Sequence, residues 1–129
     1  LVGSERCIRD RYKPENRREN AVSYLGTHGK TTCLGWLRDG LDDTARHRLA
    51  AHTQAPADEH GVRAMIDLLL SSRARTAIVC VQDLLALPAS ARMDTPGEGP
   101  GNWRWQLTPE QFAALPLDDF AVRCRAHGR

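Results

Sequence analysis

The chain has 129 residues, 41% of them hydrophobic and 26% charged, with a formal net charge of +2. That suits one modest soluble domain with its own core. It excludes a membrane-spanning helix, because no apolar run approaches ~20 residues, and it gives little electrostatic footprint for nucleic acid.

The lead-in, residues 1–20, is polar and irregular, with Pro14 as a breaker. It carries six basic and four acidic side chains, whereas the other 109 residues carry twelve of each. The excess lies between Arg6 and Arg18, diluted by Glu5, Asp10, Glu15 and Glu19, and reads as a solvated segment. There is no apolar signal core, and the first residue is Leu1 rather than Met, so the expectation is a cytoplasmic chain that begins inside a longer protein. Cys7, Cys33, Cys80 and Cys124 are 26, 47 and 44 residues apart. This spacing lacks the close pairs of a zinc site and suits reduced thiols, with Cys80 a small core residue.

Residues 21–25 form an apolar run ending at Gly26, which predicts a strand. Gly26 to Thr32 is then a loop, with Thr31 or Thr32 capping a helix from Cys33 toward Leu41. A second helix is expected from Thr44 to His52. After the break at 55–57, Val62, Met65, Ile66 and Leu69 recur at helical spacing, which predicts a helix over 59–73. The β-branched run 76–81 predicts a strand buried on both faces, as in parallel sheets. A short helix is expected over 83–87, followed by a Gly- and Pro-rich loop over 88–102 whose composition suggests function. Thr108-Pro109-Glu110-Gln111 carries an N-cap, a first-position proline and a capping-box partner, so a last helix is expected from Pro109, interrupted at Pro116.

The order βαβα argues for a parallel α/β sheet. Two strands do not stabilise such a sheet, so 1–129 reads as a single partial domain. It needs the missing part of its sheet or must self-associate, because one edge and one apolar face would be bare.

Two stretches carry a family resemblance. The first is Glu19-Asn20-Ala21-Val22-Ser23-Tyr24-Leu25-Gly26-Thr27-His28 with Thr32-Cys33-Leu34-Gly35-Trp36. The second is Gln82-Asp83-Leu84-Leu85-Ala86-Leu87, Ala91-Arg92-Met93-Asp94-Thr95-Pro96-Gly97 and Gly101-Asn102-Trp103-Arg104-Trp105. In order and spacing, across residues 14–107, they resemble the C-terminal part of the 4-α-glucanotransferases (amylomaltases, or disproportionating enzymes). The resemblance implies the C-terminal portion of a (β/α)8 TIM barrel, about two strands plus helices. It also implies retaining transfer of α-1,4-glucan segments between maltooligosaccharides, with no cofactor and no metal.

Retaining chemistry needs a nucleophilic carboxylate and an acid/base carboxylate about 5 Å apart. By resemblance both precede this chain. A third family carboxylate follows the histidine of Gly-Thr-His-Asp, and here that position is Gly29. No catalytic residue is therefore expected in this chain, which should be inactive by itself. Thr27, His28 and Asp94 are the expected substrate-binding residues, Asp94 standing where the family has asparagine.

Residues 26–32 also resemble the Gly-Thr-X-Gly-Lys-Thr-Thr phosphate loop of the ligases that add amino acids to UDP-N-acetylmuramate. On that alternative Gly29 would help cradle phosphate, Lys30 would reach its terminal oxygens and Thr31 would hold Mg²⁺. The downstream segments have no counterpart there. A non-catalytic glucan-binding module is a third alternative. Trp36, Trp103 and Trp105 are candidates for stacking on sugars, although such residues more often pack. His47, His52 and His60 lack ligand partners at metal spacing. Asp83 is expected to hydrogen-bond the loop over 96–102.

Overall fold

The computed structural model describes residues 18–50, 52–54 and 56–129. Most of the lead-in, with Cys7, Pro14 and the arginines before Arg18, lies outside them.

Strand β1 (Val22–Tyr24) pairs in parallel with β2 (Thr76–Ile78), placing Val22 opposite Thr76, Ser23 opposite Ala77 and Tyr24 opposite Ile78. The crossover between them holds α1 (Cys33–Asp39), α2 (Asp43–Ala50) and α3 (Glu59–Leu70). Beyond β2 come α4 (Val81–Leu84), a 3-10 turn (Ala89–Ala91), α5 (Pro109–Ala113) and α6 (Leu117–Ala126). The chain is thus a mixed α/β fold around a two-stranded parallel sheet.

The stripe Val62, Met65, Ile66, Leu69 and Leu70 on α3 packs with Leu34 and Leu37 of α1 and with Leu25 just past β1. Leu25, Leu37, Leu69, Val62 and Cys33 are the largest fully buried side chains. Helix α3 starts where Asp58 accepts from the amides of His60 (2.8 Å) and Gly61 (3.2 Å). It is held at its end by Arg129, whose guanidinium donates to the carbonyls of Leu70 (2.7 Å), Ser72 (2.5 Å) and Ala74 (2.6 Å). Five rigid donors let one arginine satisfy several carbonyls that a helix end leaves open. Arg123 of α6 bonds Asp67 of α3 at 2.7 Å, which ties the last helix to the crossover.

The expectation that the 76–81 run forms a strand buried on both faces is corrected here. Pairing stops at Ile78, and Val81 already opens α4. Ser23 and Leu25 point into the helical layer, while Val22 and Ile78 are half exposed, at 51% and 50%. Tyr24 is exposed on the same face. The described helices cover one face of the sheet only, so alternate residues of each strand meet solvent. Cys80 is accordingly half-buried, not a core residue.

Gly61 sits where α3 meets the chain before it. A Cβ at this position would collide with the Pro56 carbonyl and lie 3.2 Å from Leu37 Cδ1. In an open helix, Gly→Ala gains about 1 kcal/mol. Here Gly61→Ala is expected to lower the urea midpoint instead, because backbone must move to admit a methyl group. A raised midpoint in equilibrium denaturation would refute that packing.

Candidate functional site

Both strands run the same way, so the loops that follow them lie at one end of the sheet, where open α/β sheets bind ligands. A cleft of about 200 Å³ opens there, lined by the 26–32 loop, Cys80, Gln82, Asp83 and Met93.

Asp83 is the buried anchor of this end, with 3% of its surface exposed. Its Oδ1 accepts the backbone N–H of Cys33 at 2.7 Å, across 50 residues of sequence. The carboxylate thereby caps the positive end of α1, while Thr32 Oγ1 accepts the Gly35 amide at 3.1 Å. The expected bond from Asp83 to the 96–102 loop is therefore replaced. Helix α4 begins directly after β2 and turns Asp83 under α1 rather than outward. Burial raises the Asp83 carboxyl above its ordinary 3.8, partly offset by the Cys33 amide. Burial, with the charge of Asp83 beside it, also pushes up the Cys33 thiol and, less deeply, that of Cys80.

The 26–32 loop and the 91–103 loop are stitched together by backbone. The Asp94 amide donates to the His28 carbonyl at 3.2 Å, and Arg92 Nη2 donates to the Gly29 carbonyl at 3.3 Å. Arg92 Nε also holds the Asp94 carbonyl at 2.9 Å. A Cβ on Gly29 would lie 3.7 Å from Asp94 Oδ2, an ordinary contact, so the two positions face each other. His28 and Trp103 are in ring contact, with centroids 4.8 Å apart and planes at 34°. Asn102 braces the second loop from within: its side chain accepts the Thr95 amide (2.8 Å) and donates to the carbonyls of Thr95 (3.2 Å) and Glu98 (2.9 Å). Gly97 and Gly101 take positive φ, 88° and 108°, which lets this loop close on itself.

The structure brings Thr27, His28, Gly29 and Asp94 to one place. Lys30 and Thr31 line the same cleft, but the Thr31 hydroxyl oxygen packs on Gly35, 2.6 Å from where a Cβ would stand. Trp36 is buried in the core, while Trp103 is exposed. Among the described residues no three His, Cys, Asp or Glu side chains converge as metal ligands. No described helix is long and apolar enough to cross a membrane. The Asp83–Cys33 bond and the brace by Asn102 escaped sequence reasoning. The first leaves no local pattern, whereas the Gly101-Asn102-Trp103 motif did mark the second.

Fold and site define an α/β chain whose two long loops gather beyond the carboxyl ends of its parallel strands. A family model described as 4-alpha-glucanotransferase matches residues 3–112. The 4-alpha-glucanotransferase of Streptococcus pneumoniae is 42% identical over 93 residues, covering 72% of this chain and 18% of that protein. The chloroplastic/amyloplastic enzyme of Arabidopsis thaliana is 37% identical over 94 residues, covering 73% of this chain and 16% of that one. Amylomaltase from Streptococcus agalactiae, solved in complex with acarbose, superposes with a TM-score of 0.80 at 25% identity, over 94% of this chain and 24% of that chain. The chain belongs to the 4-alpha-glucanotransferase family. It spans less than a fifth of the length of these curated relatives, 18% and 16% of the two above.

A raised carboxyl fixes the sign of one pH effect. The folded state binds the Asp83 proton more tightly than the unfolded state does, so this group's contribution to stability is full below 3.8 and is lost as pH rises through the folded value. Asp83→Asn keeps an oxygen for the Cys33 amide and carries no charge. It is expected to gain stability relative to the native chain as pH rises above 3.8, where the native chain must give up the Asp83 proton and the variant has none to lose. A stability difference that stays flat in pH-resolved urea titrations would rule this out.

Proposed function

We propose that this chain supplies the C-terminal two strands and active-site loops of a (β/α)8 barrel that transfers α-1,4-glucan segments between maltooligosaccharides by a retaining route. The observation that carries this reading is the stitched pair of loops beyond β1 and β2, in which the Asp94 amide bonds the His28 carbonyl and Arg92 the Gly29 carbonyl. Such a barrel keeps its chemistry at this end of its strands. The related amylomaltase solved with acarbose supports a maltooligosaccharide-type ligand. In this reading Thr27, His28 and Asp94 hold sugar hydroxyls, and the chain acts in the cytoplasm without cofactor or metal.

The chain alone is inactive on this reading. Asp83 is buried and engaged by the Cys33 amide, and position 29 is glycine, so it contributes no side-chain carboxylate. Two carboxylates about 5 Å apart are needed for retention. The phosphate-loop alternative is the weaker one physically. At the α1 N-terminus the Cys33 amide is already bonded by a carboxylate and the Gly35 amide by Thr32, and a phosphate brought there would face the Asp83 charge.

Calorimetric titration separates the two. Maltoheptaose is expected to bind, with His28→Ala weakening it by about tenfold or more, a loss of ~1.4 kcal/mol. Mg²⁺-ATP is expected not to bind. ATP binding that disappears in Lys30→Ala would overturn the glucan reading.

The bare sheet face, Val22 and Ile78 at its centre, is the side that packs on the rest of the barrel in this reading. The isolated chain is accordingly expected to self-associate or melt at low temperature. The pair Val22→Lys and Ile78→Lys should shift sedimentation toward monomer. A native chain that is monomeric and melts sharply would count against it.

A further inference from the structure

Trp103 is an unusual residue to find where it is. Its φ is +62°, a backbone region that a bulky side chain seldom enters. The residue is nevertheless 60% exposed, so burial of the indole does not explain the conformation. Its placement is instead imposed by its neighbours. The Trp103 amide donates to the Met93 carbonyl at 2.6 Å, and the three side-chain hydrogen bonds of Asn102 fix the residue before it. The loop is therefore built to hold an indole out in solvent at a strained turn. Backbone strain that the surroundings over-determine clusters at ligand sites, which makes the displayed ring a candidate for ligand contact.

One side of the indole is covered by His28, at 4.8 Å between centroids. The residue as a whole keeps 60% of its surface exposed. His28 lines the cleft, and Trp103 stands beside it in ring contact.

We infer that Trp103 is a stacking platform for a glucosyl ring, an outer subsite that extends the glucan site beyond His28. This rests on the glucan reading of the same site. The negative face of an indole attracts the weakly positive axial C–H groups of a pyranose, and the sugar's equatorial hydroxyls stay free for water. Of the three tryptophans, this one alone joins exposure to a contact with a cleft residue: Trp36 is buried at 6%, and Trp105 is half-buried without such a contact.

Glycine takes φ of +62° without strain, so removing the ring need not damage the loop. The full chain, Trp103→Gly and Trp103→Phe are compared by thermal melting and by calorimetric titration with maltose and maltoheptaose. Trp103→Gly is expected to melt at or above the native temperature yet bind maltoheptaose about tenfold more weakly. Trp103→Phe should stay within about threefold of native, since it keeps a stacking face. Maltose, too short to span His28 and the outer subsite, should lose less than maltoheptaose. Unchanged maltoheptaose affinity in Trp103→Gly removes the platform and leaves the glucan reading standing. A lowered melt with no rescue by phenylalanine makes the residue structural and overturns the inference. A native chain that binds no maltoheptaose at all brings down the glucan reading, and the platform with it.

Discussion

A single buried carboxylate joins the two halves of this chain. Asp83 arrives just after β2, and its 2.7 Å bond to the Cys33 amide closes a span of 50 residues. That bond sets where α1 begins relative to α4, and so sets the relation between the loop after β1 and the loop after β2. Everything at the cleft inherits this spacing. The interaction is also a costly one to maintain, because burial favours the protonated acid while the cap favours the charged form. The cap and the helix end together keep the carboxylate useful in a place where a lone charge would be disfavoured.

The second constraint is asymmetry across the sheet. Helices α1 and α3 bury one face, and Ser23, Leu25 and Ala77 serve it. The hydroxyl of Ser23 is buried without a hydrogen-bond partner among the described residues, as is that of Ser72. A buried polar atom without a partner costs free energy. Together with the bare apolar face, it leaves the segment with less net stability than its dense α1–α3 core suggests.

What could be read from the sequence was whatever is decided locally. The stripe from Val62 to Leu70 announces α3 because a helix repeats its environment every three to four residues. The box at Thr108 and Gln111 forms as its spacing implies, with reciprocal bonds of 3.0 and 3.2 Å. Residues 28 and 94 come from two separate motifs, and the fold brings the Asp94 amide onto the His28 carbonyl. The 76–81 run misled because an apolar sequence reports what the strand can tolerate on both faces, not which layers are present to cover it. The partner of Asp83 was illegible for a different reason. A contact across 50 residues depends on how α4 turns, and no periodicity encodes that.

Positions 29 and 94 form one spatial feature of the site. Gly29 has no side chain, and the Asp94 carboxylate faces the space where one would begin, 3.7 Å away. A side chain at position 29 would begin in ordinary van der Waals contact with that carboxylate. Glycine at 29 and aspartate at 94 thus fit beside each other without a clash. The backbone reinforces the match, since Arg92 holds the carbonyls of both residues and keeps the two loops in register. At this end of the sheet the Asp94 carboxylate stands on the second loop, while that of Asp83 is engaged by the Cys33 amide.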